Sequence, residues 1–422
     1  MLTQLRLRNF KNFEDAKLTL GPLTVIAGAN AAGKSNLRDA FRFLHGIGRG
    51  YSVAEIIGEK WSAGGVMEWA GIRGGTKEVA FQGKDGFEIG AAIQDAKPSF
   101  GQGQYDYHLH VSLRTLDHMP KVIEETLWED GKRRFWTQRM KNNAELKFGY
   151  VPIPPADPAT HWLNLPSSKP MLMQAMSDIN LVCHGYLRAQ PVIDAFASSR
   201  FLDLSPTAMR LPAIPGQVVL GDRGDNLSSV LQAICADDGK KSALLDWVRQ
   251  LTPMDAVDFD FPDDQTGRVL LTLVEANGRR TSAYSASDGT LRLLAILAAL
   301  LGPEPARFYF LEELENGIHP NRLALLVQLL ETTTSQGKTQ VVATTHSPQL
   351  LRLLSRESLE HASVVYRLPG TSAGRIKRIV DIPHIREVLE TQDIARLHES
   401  GWLEDILNFS EAPEPDEVLV EA

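Results

Sequence analysis

The sequence predicts an α/β protein with a mixed, largely parallel core sheet, an antiparallel β-meander subdomain and a helical lobe. Three observations support this class. A glycine-rich loop lies between an apolar strand and an amphipathic helix near the N-terminus, short alternating segments recur between about residues 77 and 150, and buried strands alternate with helices in the last third. The 422 residues suffice for one large domain or two ordinary ones.

The N-terminal segments introduce the glycine-rich loop. Leu2–Phe10 alternates apolar and polar positions, as a half-buried strand does, and Lys17–Leu20 predicts a second strand. Leu23–Ala27 is continuously apolar apart from Thr24, which is typical of a strand covered on both faces. The loop follows this strand directly, and Asn36–Leu44 then predicts a helix with one apolar face.

Residues 77 to 150 show a different pattern. Short alternating segments are separated by turn residues such as Gly83-Lys84-Asp85-Gly86, which predicts an antiparallel meander. The predicted strands are Glu78–Gln82, Phe87–Ile93, Tyr105–Leu113, Val122–Trp128 and Phe135–Arg139.

The remaining chain falls into two parts. Prolines are frequent from Pro152 to Pro215, where we expect short helices, and the pattern beyond residue 220 becomes regular. The predicted helices are Asn226–Ala236, Ser242–Leu251, Ser287–Leu301 and Pro320–Thr333, and the predicted strands are Val257–Phe261, Val269–Val274, Arg307–Leu311, Thr339–Thr344, His361–Leu368 and Arg375–Val380.

We expect residues 1–409 to form a single unit. Its predicted parts are a phosphate-loop lobe at 1–50, the antiparallel subdomain at 77–150, a mainly helical lobe at 151–255 and an α/β part at 256–409. The tail at 410–422 is rich in Glu, Asp and Pro and is expected to be unfolded. The proline-rich middle excludes a long coiled coil.

Composition limits the partners and the compartment. The formal net charge of -8 argues against nonspecific coating of nucleic acid, so any DNA contact needs a local patch, a partner or an assembly. The longest apolar run, Leu291–Leu301, is far shorter than the roughly 20 residues of a membrane span, so no membrane partner is expected. Cys183 and Cys235 do not form a metal-type pair, and we expect reduced thiols in a cytoplasmic protein.

The glycine-rich loop, Gly28-Ala29-Asn30-Ala31-Ala32-Gly33-Lys34-Ser35, has the spacing of a phosphate-binding P-loop. Its backbone N–H groups and the following helix N-terminus attract phosphate, Lys34 adds a charge, and the Ser35 hydroxyl is a Mg²⁺ ligand. A chance glycine turn is the alternative, and the flanking strand and helix argue against it. ATP and Mg²⁺ are the expected cofactors. The nucleotide contacts expected on this side are Gly28, Asn30, Ala31, Ala32, Gly33, Lys34, Ser35 and Asn36.

Two carboxylates follow the predicted strand Arg307–Leu311. Ligands of doubly wound sheets lie at the carboxyl ends of the strands, so Glu312 and Glu313 are placed for chemistry. One carboxylate can hold Mg²⁺, and the next can polarise the attacking water as a general base. An acidic helix cap or a solvated charge run is the alternative interpretation.

Together these residues resemble the ABC-type ATPases of the SMC, RecF and OLD kind, in particular the compact AAA-family ATP-binding proteins of bacteria. The resemblance covers about residues 1–50 and 220–400. Its five segments, in family order, are the opening strand motif at Leu5–Phe13, the P-loop at Gly28–Ser35, the signature segment at Ser285–Arg292, the Walker B and D-loop run at Leu311–Pro320, and the switch-histidine segment at Ala343–Pro348.

The resemblance implies a role for each matching residue. Glu312 takes the Mg²⁺-coordinating Walker B position, Glu313 takes the catalytic-base position, and His346 contacts the γ-phosphate. Ser287, Asp288 and Gly289 belong to the signature segment, which reaches the γ-phosphate of a nucleotide held by a second subunit. The D-loop, Asn316 to His319, lies at that dimer interface. An ordinary helix N-cap is the alternative for Ser287-Asp288-Gly289, and both roles are compatible.

Three departures from the family pattern stand out. The first Walker B carboxylate is Glu312 in place of Asp, which can alter Mg²⁺ geometry and slow hydrolysis. Leu314 replaces the proline that usually follows the catalytic Glu. The Q-loop glutamine has no convincing position, with Gln174 and Gln190 as candidates. No acidic nuclease domain is recognisable after Val380.

The resemblance implies an ATP-dependent switch. Two subunits, or a higher homo-oligomer, would sandwich ATP, hydrolyse it and control a separate effector, a nuclease or toxin, in anti-phage defence. One alternative is a DNA repair or recombination ATPase that binds DNA directly, as RecF-like proteins do. Another is a weakly hydrolysing or nonhydrolysing scaffold in which ATP holds an oligomer that restrains an effector.

Overall fold

The computed structural model describes residues 1–95, 102–115, 117–139, 145–150, 161–177, 189–385, 387–388 and 394–399. Cys183 and the predicted acidic tail lie outside these residues. The strands are β1 (Leu2–Phe10), β2 (Phe13–Thr19), β3 (Leu23–Ala27), β4 (Lys60–Trp61), β5 (Met67–Trp69), β6 (Gly86–Gln94), β7 (Gln104–Ser112), β8 (Lys121–Glu129), β9 (Lys132–Arg139), β10 (Glu145–Tyr150), β11 (His161–Pro166), β12 (Ser199–Leu202), β13 (Ala256–Asp260), β14 (Thr272–Glu275), β15 (Arg280–Ser282), β16 (Phe308–Leu311), β17 (Gln340–Thr345), β18 (Ser363–Arg367) and β19 (Gly374–Arg378).

Helices connect and cover the strands. They are α1 (Lys34–Gly48), α2 (Val53–Ile57), α3 (Gly75–Glu78), α4 (Met171–Ser177), α5 (Gln190–Ala197), α6 (Pro206–Met209), α7 (Leu227–Cys235), α8 (Asp238–Leu251), α9 (Asp288–Leu301), α10 (Pro320–Ser335), α11 (Pro348–Leu353), α12 (Arg356–Leu359) and α13 (Ile394–Glu399).

The core sheet has six strands in the order β12-β16-β17-β3-β18-β19. All neighbouring strands are parallel except β18 and β19, which pair in the antiparallel sense. Strands β3, β16 and β17 are buried along their whole length, which agrees with their largely apolar sequences. This is the mixed, mainly parallel sheet that the sequence predicted.

A second sheet has eight antiparallel strands in the order β11-β10-β9-β8-β7-β6-β1-β2. The sheet combines the N-terminal hairpin β1–β2 with the later strands β6 to β11, because β1 pairs with β6 as well as with β2. Alternating burial along β7 and β8 shows that one face of the sheet is covered and the other faces solvent.

Helix α1 lies between the two sheets. Phe41 packs on Phe308 and Phe310 of β16, with ring centroids 5.0 and 5.8 Å apart. Phe43 packs edge-on against Phe87 of β6 at 5.3 Å. A second apolar cluster, to which helices α7 to α10 contribute, covers the other side of the core sheet. The helix that follows the phosphate loop is therefore fixed from both sides.

The predicted fold class is confirmed, with local corrections. Glu78–Gln82 is not a strand: α3 and a 3₁₀ turn (Phe81–Gly83) occupy this region, and Gln82 has a φ of 47°. Strands β10 and β11, which border the proline-rich stretch, were missed. The core strand β12 was also missed, because its four residues are too few to show a pattern. Among the described helices the longest, α10, has 16 residues, and none is long and apolar enough to cross a membrane.

Candidate ATP-binding and hydrolysis site

The carboxyl ends of three core strands meet at one edge of the sheet. The β3–β17 register places Ala27 opposite Thr345, and the β16–β17 register places Leu311 opposite Ala343. The segments that follow these strands are therefore neighbours in space. They are the phosphate loop, the run beginning at Glu312 and the run beginning at His346. This edge is the usual ligand site of an open α/β sheet.

The backbone of the phosphate loop depends on its glycines. A Cβ on Gly28 would lie 2.2 Å from the carbonyl oxygen of Val365, and the φ of Gly33 is 129°. Ala31 has a left-handed φ of 62°, a conformation that turns successive N–H groups toward one side. The loop leads into α1 at Lys34, so its N–H groups and the helix N-terminus are available to the same anion.

Lys34 is 6% exposed and folds back over the loop. Its ammonium group donates to the carbonyl oxygens of Gly28 and Ala29, at 3.0 Å from the latter, and lies 3.2 Å from Nδ1 of His346. Burial lowers the pKa of Lys34 to about 8, while the carboxylates of Glu313 and Glu315 oppose the shift. The charge is thus held inside the loop, close to the carboxylates that follow β16.

The two predicted Walker B carboxylates have different partners. Glu312 lies 3.5 Å from a guanidinium nitrogen of Arg38, one turn into α1, and both side chains are largely buried. Glu313 has a left-handed φ of 50°, and its N–H donates to Oγ1 of Thr344 at 3.0 Å. A non-glycine residue in this region carries backbone strain, which is common at functional sites. The turn directs the Glu313 carboxylate toward His346.

His346 joins the phosphate loop to the general-base candidate. Its Nδ1 faces the Lys34 ammonium, and its Nε2 lies 3.7 Å from the Glu313 carboxylate. Glu315 holds this segment in place, since one of its oxygens accepts the N–H groups of His346 and Ser347 at 2.7 and 3.1 Å. The predicted Lys34, Glu313 and His346 are therefore brought together.

Glu315 and Thr344 are functional supports to which the sequence analysis assigned no role. Both lie inside segments that had been recognised, and the Glu-Glu-x-Glu spacing at 312–315 is the signal that could have found Glu315. A carboxylate that caps the turn after β17 fixes the position of the histidine ring.

Two asparagines stabilise the loop from the other side. The amide nitrogen of Asn36 donates to Oδ1 of Asn12 at 2.7 Å, and that of Asn12 donates to the Ala32 carbonyl at 2.9 Å. The Asn12 carbonyl in turn accepts the Gly374 N–H at 2.7 Å. Asn36 thus lies beside the loop, and its side chain is hydrogen-bonded to Asn12. Its contact with nucleotide stays a prediction.

A buried ion cluster supports the start of α1. Asp39 is 1% exposed and accepts from Arg73 Nε at 3.1 and 3.3 Å, and the Lys11 ammonium lies 3.7 Å away. Arg73 also donates to the Ser35 carbonyl. The long segment between β3 and β6 therefore braces the phosphate loop, although no sequence motif indicated Arg73.

The signature residues form a separate group at the start of α9. Ser287 is the N-cap, because its hydroxyl accepts the Thr290 N–H at 3.1 Å. Asp288 pairs with Arg210 at 2.6 Å. A Cβ on Gly289 would lie 2.1 Å from the Gly317 carbonyl, so the D-loop run packs directly on this helix start. The N-cap interpretation holds, and it leaves the helix N-terminus able to receive an anion.

A cavity of about 500 Å³ opens at this helix start. Its lining includes Ser287, Gly289, Gly317, His319 and Arg322. Within the described part of the chain, no hydrogen bond or ion pair joins residues 287–289 to the phosphate loop. The structure therefore divides the predicted site residues into two groups that no hydrogen bond or ion pair among the described residues connects directly.

The two Q-loop candidates are engaged locally. Gln174, in α4, donates to the carbonyls of Pro166 and Lys169 at 2.6 and 2.8 Å. Gln190, in α5, donates to Asp194 at 2.7 Å. Neither has a contact that would single it out as a nucleotide-sensing residue.

The fold and the site define a P-loop ATPase. The chain belongs to the family described as AAA domain, putative AbiEii toxin, type IV TA system, whose family model matches residues 23–158 and 199–352. These two ranges contain the phosphate loop, the signature segment, the Walker B run and His346.

Comparison with individual proteins gives relatives of several kinds. The chain is 23% identical over 366 residues to an ATP/GTP phosphatase of Helicobacter pylori (strain ATCC 700392 / 26695), covering 84% of this chain and 88% of that protein. It is 35% identical over 75 residues to the DNA replication and repair protein RecF of Lactococcus lactis subsp. cremoris (strain MG1363), or 16% of this chain and 21% of RecF. A solved SMC head bound to the C-terminal winged-helix domain of ScpA has 13% identity and a TM-score of 0.49, covering 89% of this chain and 96% of that one.

Proposed function

We propose that this protein is an ATP-hydrolysing switch in which two subunits close around ATP and control a separate effector. The observation that carries the proposal is the division of the site. Lys34, Glu313 and His346 are in contact in one group, whereas Ser287 and Gly289 form another group at an open helix N-terminus. A second subunit can supply the missing half, because a two-fold dimer can pair the phosphate loop of each subunit with the signature residues of the other.

The residues have distinct chemical tasks in this proposal. Loop N–H groups and Lys34 neutralise the β- and γ-phosphates, because oriented donors in a partly dry site stabilise developing charge. Glu313 accepts the proton of a water that attacks the γ-phosphorus, and the bond to the β-phosphate oxygen breaks to give ADP and phosphate. His346, held by Glu315, contacts the γ-phosphate and reports its presence.

A divalent cation fits the residues beside the loop. Ser35 and Glu312 provide the hard oxygen donors that Mg²⁺ prefers, and Mg²⁺ at nucleotide sites takes only one or two protein ligands besides phosphate oxygens and water. When bound, Mg²⁺ would supply positive charge beside the phosphates. Glu312 is paired with Arg38 in this structure, so metal binding would have to replace that ion pair.

The family description supports an effector-coupled role, because it refers to a toxin of a type IV toxin–antitoxin system. The H. pylori relative, described as an ATP/GTP phosphatase, supports the hydrolytic part of the proposal. An effector that binds the open and closed dimers with different affinity would be controlled by ATP binding and hydrolysis. We propose that this control acts in anti-phage defence in the cytoplasm.

The test compares the wild type with Glu313→Gln. We expect ATP hydrolysis by the wild type, background hydrolysis by the variant, and an ATP-dependent dimer that accumulates in the variant during size-exclusion chromatography with light scattering. Equal rates at background level in both proteins would remove the hydrolytic part of the proposal.

One observation favours a second candidate, the slowly hydrolysing scaffold. The longer Glu312 side chain is paired with Arg38, so Mg²⁺ has to compete for it. An ATP-dependent oligomer that forms in the wild type and persists for hours with intact ATP would identify the scaffold. Direct DNA binding, the third candidate function, requires a surface on the protein that can hold the nucleic acid.

A further inference from the structure

The solvent-facing side of the antiparallel sheet carries an unusual set of aromatic and basic side chains. Trp128 of β8, Trp136 of β9 and Trp162 of β11 point to the same side, as the register shows: Thr126 pairs with Trp136, and Gly149 pairs with both Trp136 and Trp162. Trp128 and Trp162 are 40% and 39% exposed. We call this cluster, with Arg133 and Lys147, the tryptophan face.

Two rings of the tryptophan face pack against each other in a defined geometry. Trp136 and Trp162 meet edge to face with centroids 5.6 Å apart and an interplanar angle of 85°. Gly149 lies between them on β10, and a Cβ there would come within 2.9 Å of Trp162 and 3.0 Å of Trp136. The glycine therefore makes room for the pair. Large exposed aromatic surfaces are uncommon unless something binds to them.

Each cation of this face lies over an indole ring. The Arg133 guanidinium carbon is 4.1 Å from the Trp136 centroid and 5.9 Å from that of Trp128. The Lys147 ammonium is 4.6 Å from the Trp162 centroid. Neither cation forms a salt bridge with a residue in the described ranges. Among the described residues, these two positive charges have no carboxylate within ion-pair distance, and they lie directly beside flat apolar surface.

A groove continues from this face across the sheet. A cavity of about 800 Å³ has Trp128 in its wall and extends over β7, β6 and β1, with the lining side chains Gln94, Gln104, Arg6 and His108. Its polar side chains include hydrogen-bond donors, and the Asp106 carboxylate in the wall is paired with Arg6. A chain that leaves the tryptophans can therefore follow the sheet toward β1.

We propose that the tryptophan face binds single-stranded nucleic acid. Unpaired bases stack on exposed aromatic rings, and cations beside the rings contact the phosphates, a combination that open antiparallel sheets use for single strands. A duplex hides its bases and would leave the rings unused. The net charge of -8 excludes broad nonspecific binding, so a confined site of this kind is what the sequence allows.

The test uses a fluorescein-labelled 20-nucleotide oligo-dT strand and the nucleotide-free full chain. Fluorescence anisotropy should show binding, and tryptophan emission should be quenched as bases stack. Trp136→Ala and the double variant Arg133→Ala/Lys147→Ala should each weaken binding at least about tenfold. In the double variant, the slope of log affinity against log salt should become shallower by about 1.4, at roughly 0.7 per lost phosphate contact.

Matched controls separate this site from general effects and from the ATPase. Trp61→Ala removes a tryptophan that is 53% exposed on the small β4–β5 sheet, and Lys338→Ala/Arg367→Ala removes two exposed cations elsewhere; both should bind like the wild type. Lys34→Ala should also bind normally, because the phosphate loop is not part of the face. Circular dichroism checks that each variant is folded.

Three results would overturn the proposal. The first is no binding of oligo-dT at moderate salt, and the second is equal affinity in wild type and the tryptophan-face variants. The third is displacement of oligo-dT by polyglutamate as effective as displacement by unlabelled oligo-dT, which would assign the face to an acidic protein segment. None of these outcomes depends on ATP hydrolysis, so they leave the proposed switch untouched.

Discussion

The phosphate-loop group and the signature group of the candidate site differ in completeness. In the first, Lys34, His346 and Glu313 form a chain of contacts of 3.2 and 3.7 Å, with Glu315 behind them. In the second, Ser287 caps its own helix and Gly289 packs against Gly317. The first group therefore brings its three predicted side chains together, whereas no hydrogen bond or ion pair among the described residues joins the second group to the phosphate loop of the same chain.

Because of this difference, substitutions in the two groups should affect ATP binding and turnover differently. Losses in the phosphate-loop group should appear in ATP binding or chemistry by a single subunit. Losses in the signature group should leave ATP binding intact and appear only when two subunits must close.

Lys34→Ala should have the largest effect. It removes a buried charge aimed at the phosphates, so ATP affinity should fall at least about a hundredfold. Burial disfavours the charged form of Lys34, so thermal stability without nucleotide should not fall with it. Isothermal titration with ATP measures the affinity. Lys17→Ala, an exposed lysine of β2, is the control, and unchanged affinity in Lys34→Ala would contradict the site.

Glu313→Gln should separate binding from chemistry. Loss of the general base should lower turnover by about 10²–10⁴-fold while ATP affinity stays within a few-fold of wild type. Steady-state phosphate release together with titration of ATP distinguishes the two. Glu304→Gln, a change in the connection before β16, serves as the control, and a parallel loss of binding and turnover would show that Glu313 has another role.

Gly289→Ala should affect the second half only. Its added Cβ would collide with the Gly317 carbonyl, so the helix start must move, and turnover should fall about 10–100-fold with ATP affinity unchanged. Ser287→Ala should act in the same direction, and the N-cap variant Ser355→Ala of α12 controls for lost capping, worth about 1 kcal/mol. Reduced ATP affinity of the single subunit would place the signature group in the wrong half.

Arg38→Ala should change the metal dependence by a smaller amount. Without its cationic competitor, Glu312 is free to bind metal, so half-saturation should occur at roughly three- to tenfold lower Mg²⁺. Binding of Mn²⁺ to the ATP-bound Glu313→Gln protein, followed by electron paramagnetic resonance, gives a readout independent of turnover. Arg49→Ala at the end of α1 is the control, and a higher Mg²⁺ requirement would contradict the pairing.

The pH dependence of ATP binding should be the smallest effect. The pKa of Lys34 is lowered to about 8 without nucleotide, and bound phosphates favour the charged ammonium and raise that pKa. ATP affinity should therefore fall as pH rises through 8, with uptake of close to one proton per ATP near pH 9 and almost none at pH 7. Calorimetry in buffers of different ionisation enthalpy measures the uptake, and Lys34→Ala should abolish it.

The same contrast between regions describes what the sequence could predict. The core sheet was predicted closely, since buried parallel strands such as Leu23–Ala27 are almost entirely apolar and the loop spacing is distinctive. The eight-stranded sheet was only partly predicted. Its outer strands β10 and β11 border the proline-rich stretch, and the joining of β1 to β6 is a long-range pairing that local patterns do not encode.

Within the site, motifs located residues but not their partners. The loop spacing predicted Lys34, the strand end predicted Glu313 and the family resemblance predicted His346. The Arg38–Glu312 pair and the Arg73–Asp39 pair depend on segments that become neighbours only after folding. The tryptophan face illustrates the same limit. Its three rings are scattered over 35 residues of sequence, and only the strand register brings them together.

A site shared between two subunits is tested most directly by complementation between two impaired variants. Lys34→Ala cannot hold ATP but keeps its signature group, whereas Gly289→Ala keeps its phosphate loop and Glu313. If the site is shared between subunits, an equal mixture should recover about a quarter of wild-type ATP turnover, since half the dimers are mixed and each has one intact site. A mixture that stays as inactive as each variant alone would contradict a site built from two chains.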